Sequence, residues 1–249
     1  MSIETAPAQP RAVTPVSVAD AAESHLRALL FSGSLRAGEV LRDTALARQL
    51  GIARPTARTA VLRLIAEGLL ERDPGHSARV RSFTAADVTD IYAVRRLVEF
   101  EAVRRITTQH RDVAAVADAL RAFERAGDTW EAGPDADALF HAAVVTASGS
   151  ARLGRIFAGL AAEMRLLVAL LRTRYATLGE LADEHAVLLD ALRGGDTVHA
   201  LALWGDHIDD AERHVLHALA TADADVVSPA SAPPETTSRQ ITPPGEGQP

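Results

Sequence analysis

The chain has 249 residues, enough for one large domain or two small ones. It contains no cysteine, which excludes disulfide frameworks and thiolate metal sites, so any metal must be held by imidazole, carboxylate or carbonyl oxygen. The net charge of −7 argues against a surface that binds nucleic acid as a whole, and the absence of a signal peptide or a membrane-length apolar run predicts a cytoplasmic protein with no membrane partner.

All 26 basic residues are Arg, which fits the codon usage of a GC-rich genome better than any functional reading. Their distribution is more informative. Residues 17–82 carry ten Arg against seven acids, a net of +3, which leaves −10 for the rest of the chain. A basic first part on an acidic chain is the asymmetry of a DNA-binding domain joined to another domain.

Residues 1–16 and 223–249 are rich in Pro, Ala, Thr and Ser and poor in large apolar groups, and read as disordered tails. Between them, 17–31 predicts a helix with Ala21, Leu26, Leu29 and Leu30 on one side. A turn-rich stretch, SGSLRAGEVL, follows. A short helix runs from Asp43 to Leu50, with Asp43 or Thr44 available as its cap. Gly51-Ile52-Ala53 makes a tight turn, and a second helix covers 54–67 with Ala57, Ala60, Val61, Leu64 and Ile65 at helical spacing. Gly68 ends it. Two strands, 69–72 and 78–81, flank Asp73-Pro74-Gly75-His76 as a wing. Helix, glycine turn, helix and wing over 17–82 form a winged helix-turn-helix.

The second helix of this motif normally enters the major groove. Arg54 and Arg58 lie four apart on the face opposite the apolar stripe, with Thr56 and Thr59 beside them and Pro55 in the first turn. Bidentate Arg to guanine is the commonest specific base contact. Arg36, Arg42, Arg48, Arg72 and Arg79 are candidates for phosphate, and Gly75 and His76 at the wing tip for backbone or minor groove. Any one of these arginines is more simply a solvated residue. The ordered set points to double-stranded DNA, bound by a homodimer on a pseudo-palindromic operator, because one helix reads too few bases for a genome.

From Thr84 the pattern is helical throughout: 85–109, 112–127, 134–148, 151–175, 177–193 and 196–221. The predicted fold is mainly α, a winged helix-turn-helix followed by an all-α six-helix bundle over 84–222. Asp137 and His141 are four apart on one helix, on a face shared with Val144, Val145 and Ser148. His185 falls on a stripe with Leu181, Leu188, Leu189 and Leu192, and His207 beside Trp204, Ile208 and Ala211. A buried carboxylate needs a partner, and one divalent cation would satisfy all four groups. Zn or Ni suits three imidazoles, and Mn is possible with carboxylate and water. Glu184, next to His185, is a candidate to orient it. A single histidine on an apolar stripe is more simply a satisfied core residue, and that reading is kept for His25, His110, His199, His214 and His217.

The run SLRAGEVLRDTALARQLGIARPTARTAVLRLIAEGLLERDPGHSARVRSF resembles the GntR family of bacterial transcription regulators. Arg54, Arg58, Ala60, Gly68, Leu69 and Gly75 match the family pattern, whereas Ala53 replaces its Ser, Pro55-Thr56 inverts its Thr-Pro and Thr59 replaces its Glu. Residues 84–222 resemble the FCD domain of the FadR-type subfamily, through Tyr92, Arg95 and Glu99, through Asp137, Phe140 and His141, through 184–196, and through His207. The resemblance implies that Asp137, His141, His185 and His207 bind a divalent metal, and that a small organic acid effector completes its coordination. It also implies that Arg95 contacts the effector, with Glu99 and Ser150 in the same site, Ser150 standing where the family has Asn. Arg95 and Glu99 read equally well as a structural ion pair. The runner-up function is a helical metalloenzyme with an appended DNA-binding module, although HExxH and similar hydrolase motifs are absent from the sequence. An architectural DNA protein would be strongly basic.

Overall fold

The computed structural model describes residues 17–127 and 129–227. The predicted tail 1–16, and the part of the other tail from 228 onward, lie outside the described residues.

The first helix, α1 (Val18–Phe31), begins at a capping box: Ser17 Oγ accepts from Asp20 N, and the Asp20 carboxylate accepts from Ser17 N. Its buried side chains are Ala22, Leu26, Leu30 and Phe31. The expected Ala21 is exposed and Leu29 half-buried, because the buried row steps by four from Ala22. Next come β1 (Val40–Leu41), α2 (Asp43–Leu50), α3 (Arg54–Ala66), β2 (Leu70–Glu71) and β3 (Ala78–Val80). Neither Asp43 nor Thr44 caps α2. Arg42 is the cap residue and makes no side-chain cap bond, and the Asp43 carboxylate pairs instead with Arg72 on the wing at 3.2 Å. Gly51 turns the chain from α2 to α3 at φ 64°, and Gly75 turns the wing at φ 80°, both in the left-handed region that glycine enters without steric cost.

The wing is an antiparallel sheet of order β1-β3-β2, with Val40 opposite Arg79 and Leu70 opposite Val80. Strand β1 is an addition to the expected hairpin. Ala57, Ala60, Val61 and Leu64 of α3 are buried against α1 and α2, while Ile65 is half-buried. Leu64 is fully enclosed, so Leu64→Ala is expected to cost about 2–5 kcal/mol, read as a lowered urea midpoint at unchanged m-value.

The second domain is built from α4 (Ala85–Gln109), α5 (Ala114–Ala126), a 3-10 turn (Trp130–Ala132), α6 (Gly133–Ala147), α7 (Ala151–Ala169), a second 3-10 turn (Leu170–Thr173), α8 (Leu178–Gly194) and α9 (Thr197–Val227). The six expected helices are present, with two corrections. The segment 151–175 is α-helical only to Ala169 and then tightens into the 3-10 turn. The last helix runs through residues 223–227, assigned to the tail from composition; Asp-Ala-Asp-Val-Val can continue a helix until the restriction imposed by Pro229. Helix α4 packs against α6, α7, α8 and α9, so side chains on its buried face meet those of α6, α8 and α9 at the centre. The winged domain has its own core, to which α7 contributes Leu166.

Candidate metal centre and DNA-binding face

Helices α6, α8 and α9 bring Asp137, His141, His185 and His207 together, all nearly or fully buried. Their reactive atoms face one another. His141 Nε2 lies 3.2 Å from His185 Nε2 and 3.4 Å from His207 Nε2. Asp137 Oδ1 lies 3.1 Å from His185 Nε2 and 3.6 Å from His141 Nε2.

The opposite nitrogen of each ring is already engaged. His141 Nδ1 donates to Glu99 Oε2 (2.8 Å), His185 Nδ1 to the Leu181 carbonyl (2.7 Å) and His207 Nδ1 to Glu184 Oε1 (2.7 Å). Oxygen acceptors at all three Nδ1 atoms place the protons there and turn the three Nε2 lone pairs toward one another, with that of His141 accepting from Arg95 Nη2. Around one metal at about 2.1 Å, neighbouring nitrogens are separated by roughly 3.0 Å in octahedral and 3.4 Å in tetrahedral geometry. The His141–His185 and His141–His207 separations of 3.2 and 3.4 Å lie in that range; the Asp137–His141 separation of 3.6 Å is slightly longer, and Arg95 Nη2, 2.8 Å from His141 Nε2, must turn aside for an ion to bind. Aromatic packing holds the rings: Phe140 meets His185 edge-on at 4.7 Å and His141 at 5.4 Å.

Electrostatics favour a further positive charge. Glu99 is fully enclosed, and its carboxylate accepts from Arg95 Nε (2.7 Å), His141 Nδ1 and Trp204 Nε1 (2.7 Å). Burial opposes its charge, but His141 and Arg95 hold it far below the usual carboxylate range. Asp137 is likewise held well below its ordinary value, the two histidines outweighing burial. Among the described residues Arg95 is the guanidinium facing these two carboxylates, and its Nη2 donates to His141 Nε2 at 2.8 Å. The remaining negative charge shows on His141, whose basicity is raised: burial opposes its charging, and Glu99 and Asp137 together outweigh it. Burial pushes His207 down to about 4, which keeps it neutral near neutral pH with its lone pair available.

Several partners differ from the sequence expectation. Glu184 orients His207 rather than its neighbour His185, because one helical step turns it to a different face. Its other oxygen accepts from Tyr175 Oη (2.9 Å) and Arg174 Nη1 (3.0 Å); against the effect of burial, His207 and Arg174 bring it down to about 2. Trp204, Tyr175 and Arg174 were not anticipated as partners; Trp204 lies three residues before His207, a spacing that shares its face. Arg95 and Glu99 do form the expected pair, with Glu99 fully used inside the protein. Ser150 joins no part of the cluster by hydrogen bond and instead caps α7, its Oγ accepting from Leu153 N at 3.4 Å. The buried Tyr92 hydroxyl, on the same helix as Arg95, has no partner among the described residues.

On the winged domain, Arg54, Pro55, Arg58 and Thr59 are exposed and Thr56 half-exposed along the start of α3. Among the described residues neither Arg54 nor Arg58 forms an ion pair, unlike Arg63 further along, which pairs with Asp20 and Glu23 of α1. Thr59 Oγ1 donates to the Pro55 carbonyl at 3.0 Å. Gly75 and His76 sit exposed at the wing tip, with His76 Nδ1 donating to the Pro74 carbonyl. Two of the expected phosphate contacts are otherwise engaged: Arg72 with Asp43, and Arg79 with Glu71 and Asp73. Arg36, Arg42 and Arg48 are exposed.

The sequence profile described as "Bacterial regulatory proteins, gntR family" matches residues 18–80, and that of the FCD domain matches 90–210. The chain belongs to the GntR family. A GntR transcriptional regulator from Rhodococcus sp. RHA1 has a solved structure similar to this one at TM-score 0.62 and 27% identity, over 80% of this chain and 97% of that one. The protein of Paenarthrobacter nicotinovorans named "Probable D-xylose utilization operon transcriptional repressor" is 27% identical over 74% of this chain and 82% of its own length. The regulator YdhC of Bacillus subtilis is 34% identical over 83 residues, which is 33% of this chain and 37% of YdhC. These relatives are transcriptional regulators and not enzymes, so this GntR chain is read as a DNA-binding regulator rather than a metalloenzyme. None of its described helices is long and apolar enough to cross a membrane.

Proposed function

We propose that this GntR protein is a cytoplasmic homodimeric repressor whose grip on a pseudo-palindromic operator is set by a small organic carboxylate bound at a divalent metal. The observation that carries the metal is the convergence of three Nε2 atoms on rings whose Nδ1 atoms are all engaged. Asp137, His141, His185 and His207 are the ligands, and Zn or Ni fits the three imidazoles best, with Mn the alternative. The metal supplies a positive charge that attracts an anion. Glu99, Leu181 O and Glu184 fix the rings, and Phe140 packs edge-on against those of His141 and His185.

The carboxylate reading rests on Arg95 and Tyr92. A buried guanidinium with Nη2 directed at the metal ligands is placed to take a carboxylate oxygen, and the unpartnered Tyr92 hydroxyl is a second polar group beside it. Glu99 fixes Arg95, and Ser150, at the start of α7, is a more distant contact. On the DNA side Arg54, Pro55, Thr56, Arg58 and Thr59 meet the major groove, and Gly75 and His76 the flanking backbone. The repressor sign follows the name of the Paenarthrobacter relative.

Calorimetry against a panel of small carboxylates, with metal and after chelation, tests the reading. Binding is expected only with metal present, and Arg95→Gln is expected to weaken it about 10- to 150-fold, the loss of one charge-assisted contact. Equal binding by the metal-free protein overturns the effector assignment.

A further inference from the structure

The sensor and DNA-binding domains meet at several places, among them Arg81 with Glu163 of α7 and the 130–132 turn against α1, and one of these contacts, just after α7, also reaches the candidate metal centre. Helix α7 ends at Ala169, and residues 170–173 form the tight 3-10 turn that leads to Arg174 and Tyr175. On one side of this stretch, Arg172 Nη1 donates to the Ser32 carbonyl at 2.8 Å; Ser32 is the C-cap of α1, where backbone carbonyls lack helical partners. Just before it, Leu166 lies in the core of the winged domain. On the other side, Arg174 and Tyr175 both hold Glu184, the carboxylate that fixes His207.

A second path starts from the same tyrosine. The Tyr175 ring stacks on Trp130 with centroids 6.1 Å apart and planes at 25°. Trp130 opens the 3-10 turn that packs against α1. Helix α1 in turn fixes the recognition helix: Arg63 of α3 reaches Asp20 and Glu23, and Arg27 reaches Glu67. An unbroken set of contacts thus joins His207 to α3.

We propose that residues 170–175 are the coupling element of this regulator, a strap whose register is fixed at one end by Glu184 and at the other by the C-cap of α1. The proposal rests on the metal reading given above. When a metal draws His207 Nε2, Glu184 is fixed through Nδ1, and with it Tyr175, Arg174 and the 3-10 turn. Arg172 then holds Ser32, and the winged domain is docked in one orientation. Without the metal, His207 is held on this side only by its Nδ1 bond to Glu184, so the strap is free to shift and α1 is less firmly held. Arg172 and Tyr175 are positioning residues here, since neither touches metal or DNA. A two-state element biased from both ends is the physical requirement for coupling between distant sites.

Hydrogen exchange on the full chain, followed by mass spectrometry with and without saturating zinc, tests this. In the wild type, zinc is expected to slow exchange of residues 26–33 by about 5- to 150-fold, the span of a typical coupling free energy. Arg172→Ala and Tyr175→Phe are compared at full zinc content, verified by elemental analysis. The phenylalanine variant keeps the ring stack and deletes only the hydroxyl held by Glu184. Both are expected to take up zinc while the zinc-dependent protection of 26–33 falls below about twofold. A zinc effect on 26–33 that survives intact in both variants overturns the coupling role and leaves the metal reading standing, as does a wild type that loads zinc without any change there. Failure of the wild type to take up zinc overturns the metal reading and the coupling together.

Discussion

Replacing His185 and His207 together by alanine is expected to reduce bound metal from about one ion per chain to near zero, and to abolish the rise in melting temperature that added zinc produces in the wild type. A ligand at a hundredfold excess over its dissociation constant stabilises the native state by about 2.7 kcal/mol, and for a chain of this size each kcal/mol moves the melting temperature by roughly 2–4 °C. The wild-type shift is therefore about 5–11 °C. The metal-free double variant also loses stability on its own account, because Glu184 and the Leu181 carbonyl lose their donors in buried surroundings. The diagnostic quantity is thus the zinc-induced shift, not the absolute melting temperature. Glu184→Gln separates the ligand from its support: it keeps His207 in place and is expected to weaken zinc binding about 10- to 100-fold without changing stoichiometry. Full metal content in the double variant excludes this centre.

Much of this site is legible in the sequence because helices write their faces at fixed spacing. Asp137, His141, His185 and His207 each stand on an otherwise apolar row, and a polar group on a buried row needs a partner, so the four could be grouped without knowing how the helices pack. Which acceptor serves which ring is different. The partners of His141 and His207, Glu99 and Glu184, lie 42 and 23 residues away, on other helices, and depend on helix rotation to within one residue. That is why adjacency pairs Glu184 with His185 in the sequence, and why the three internal donors around Glu99 cannot be read from its spacing.

The same division runs through the fold. Helix starts with side-chain caps were close to the mark: Thr84 and Asp87 form a capping box at the head of α4, as local chemistry dictates. Strand β1 has two residues inside a glycine- and serine-rich stretch, and exists because Val40 and Leu41 pair with Arg79 and Ala78 nearly forty residues on. Two residues cannot show an alternating pattern. Likewise, Asp43 has the composition of a cap and spends its carboxylate on Arg72 across the domain. Local signals fail where a tertiary partner offers a charged group a better bond.

Removing either Arg54 or Arg58 is expected to weaken operator binding by about 1–3 kcal/mol, a roughly 5- to 150-fold rise in dissociation constant, if each makes a bidentate contact to a base edge. Both are exposed on the first turns of α3 and pair with no carboxylate among the described residues, so their donors are free for bases. Arg63 is the internal control. It lies on the same helix with the same charge, but its guanidinium is committed to Asp20 and Glu23 of α1. Arg63→Ala should change affinity about as much as removing a solvated surface ion pair changes stability, within about 1 kcal/mol. The three variants therefore distinguish base reading from a general loss of positive charge. Base contacts give a loss at Arg54 and Arg58 that is large on the operator and small on unrelated DNA, with the salt slope nearly unchanged. Phosphate contacts give equal losses on both sequences and a shallower salt slope. Gel shifts on operator and scrambled DNA at two salt concentrations read both quantities, and unchanged operator affinity in Arg54→Ala and Arg58→Ala would remove α3 from the role of recognition helix.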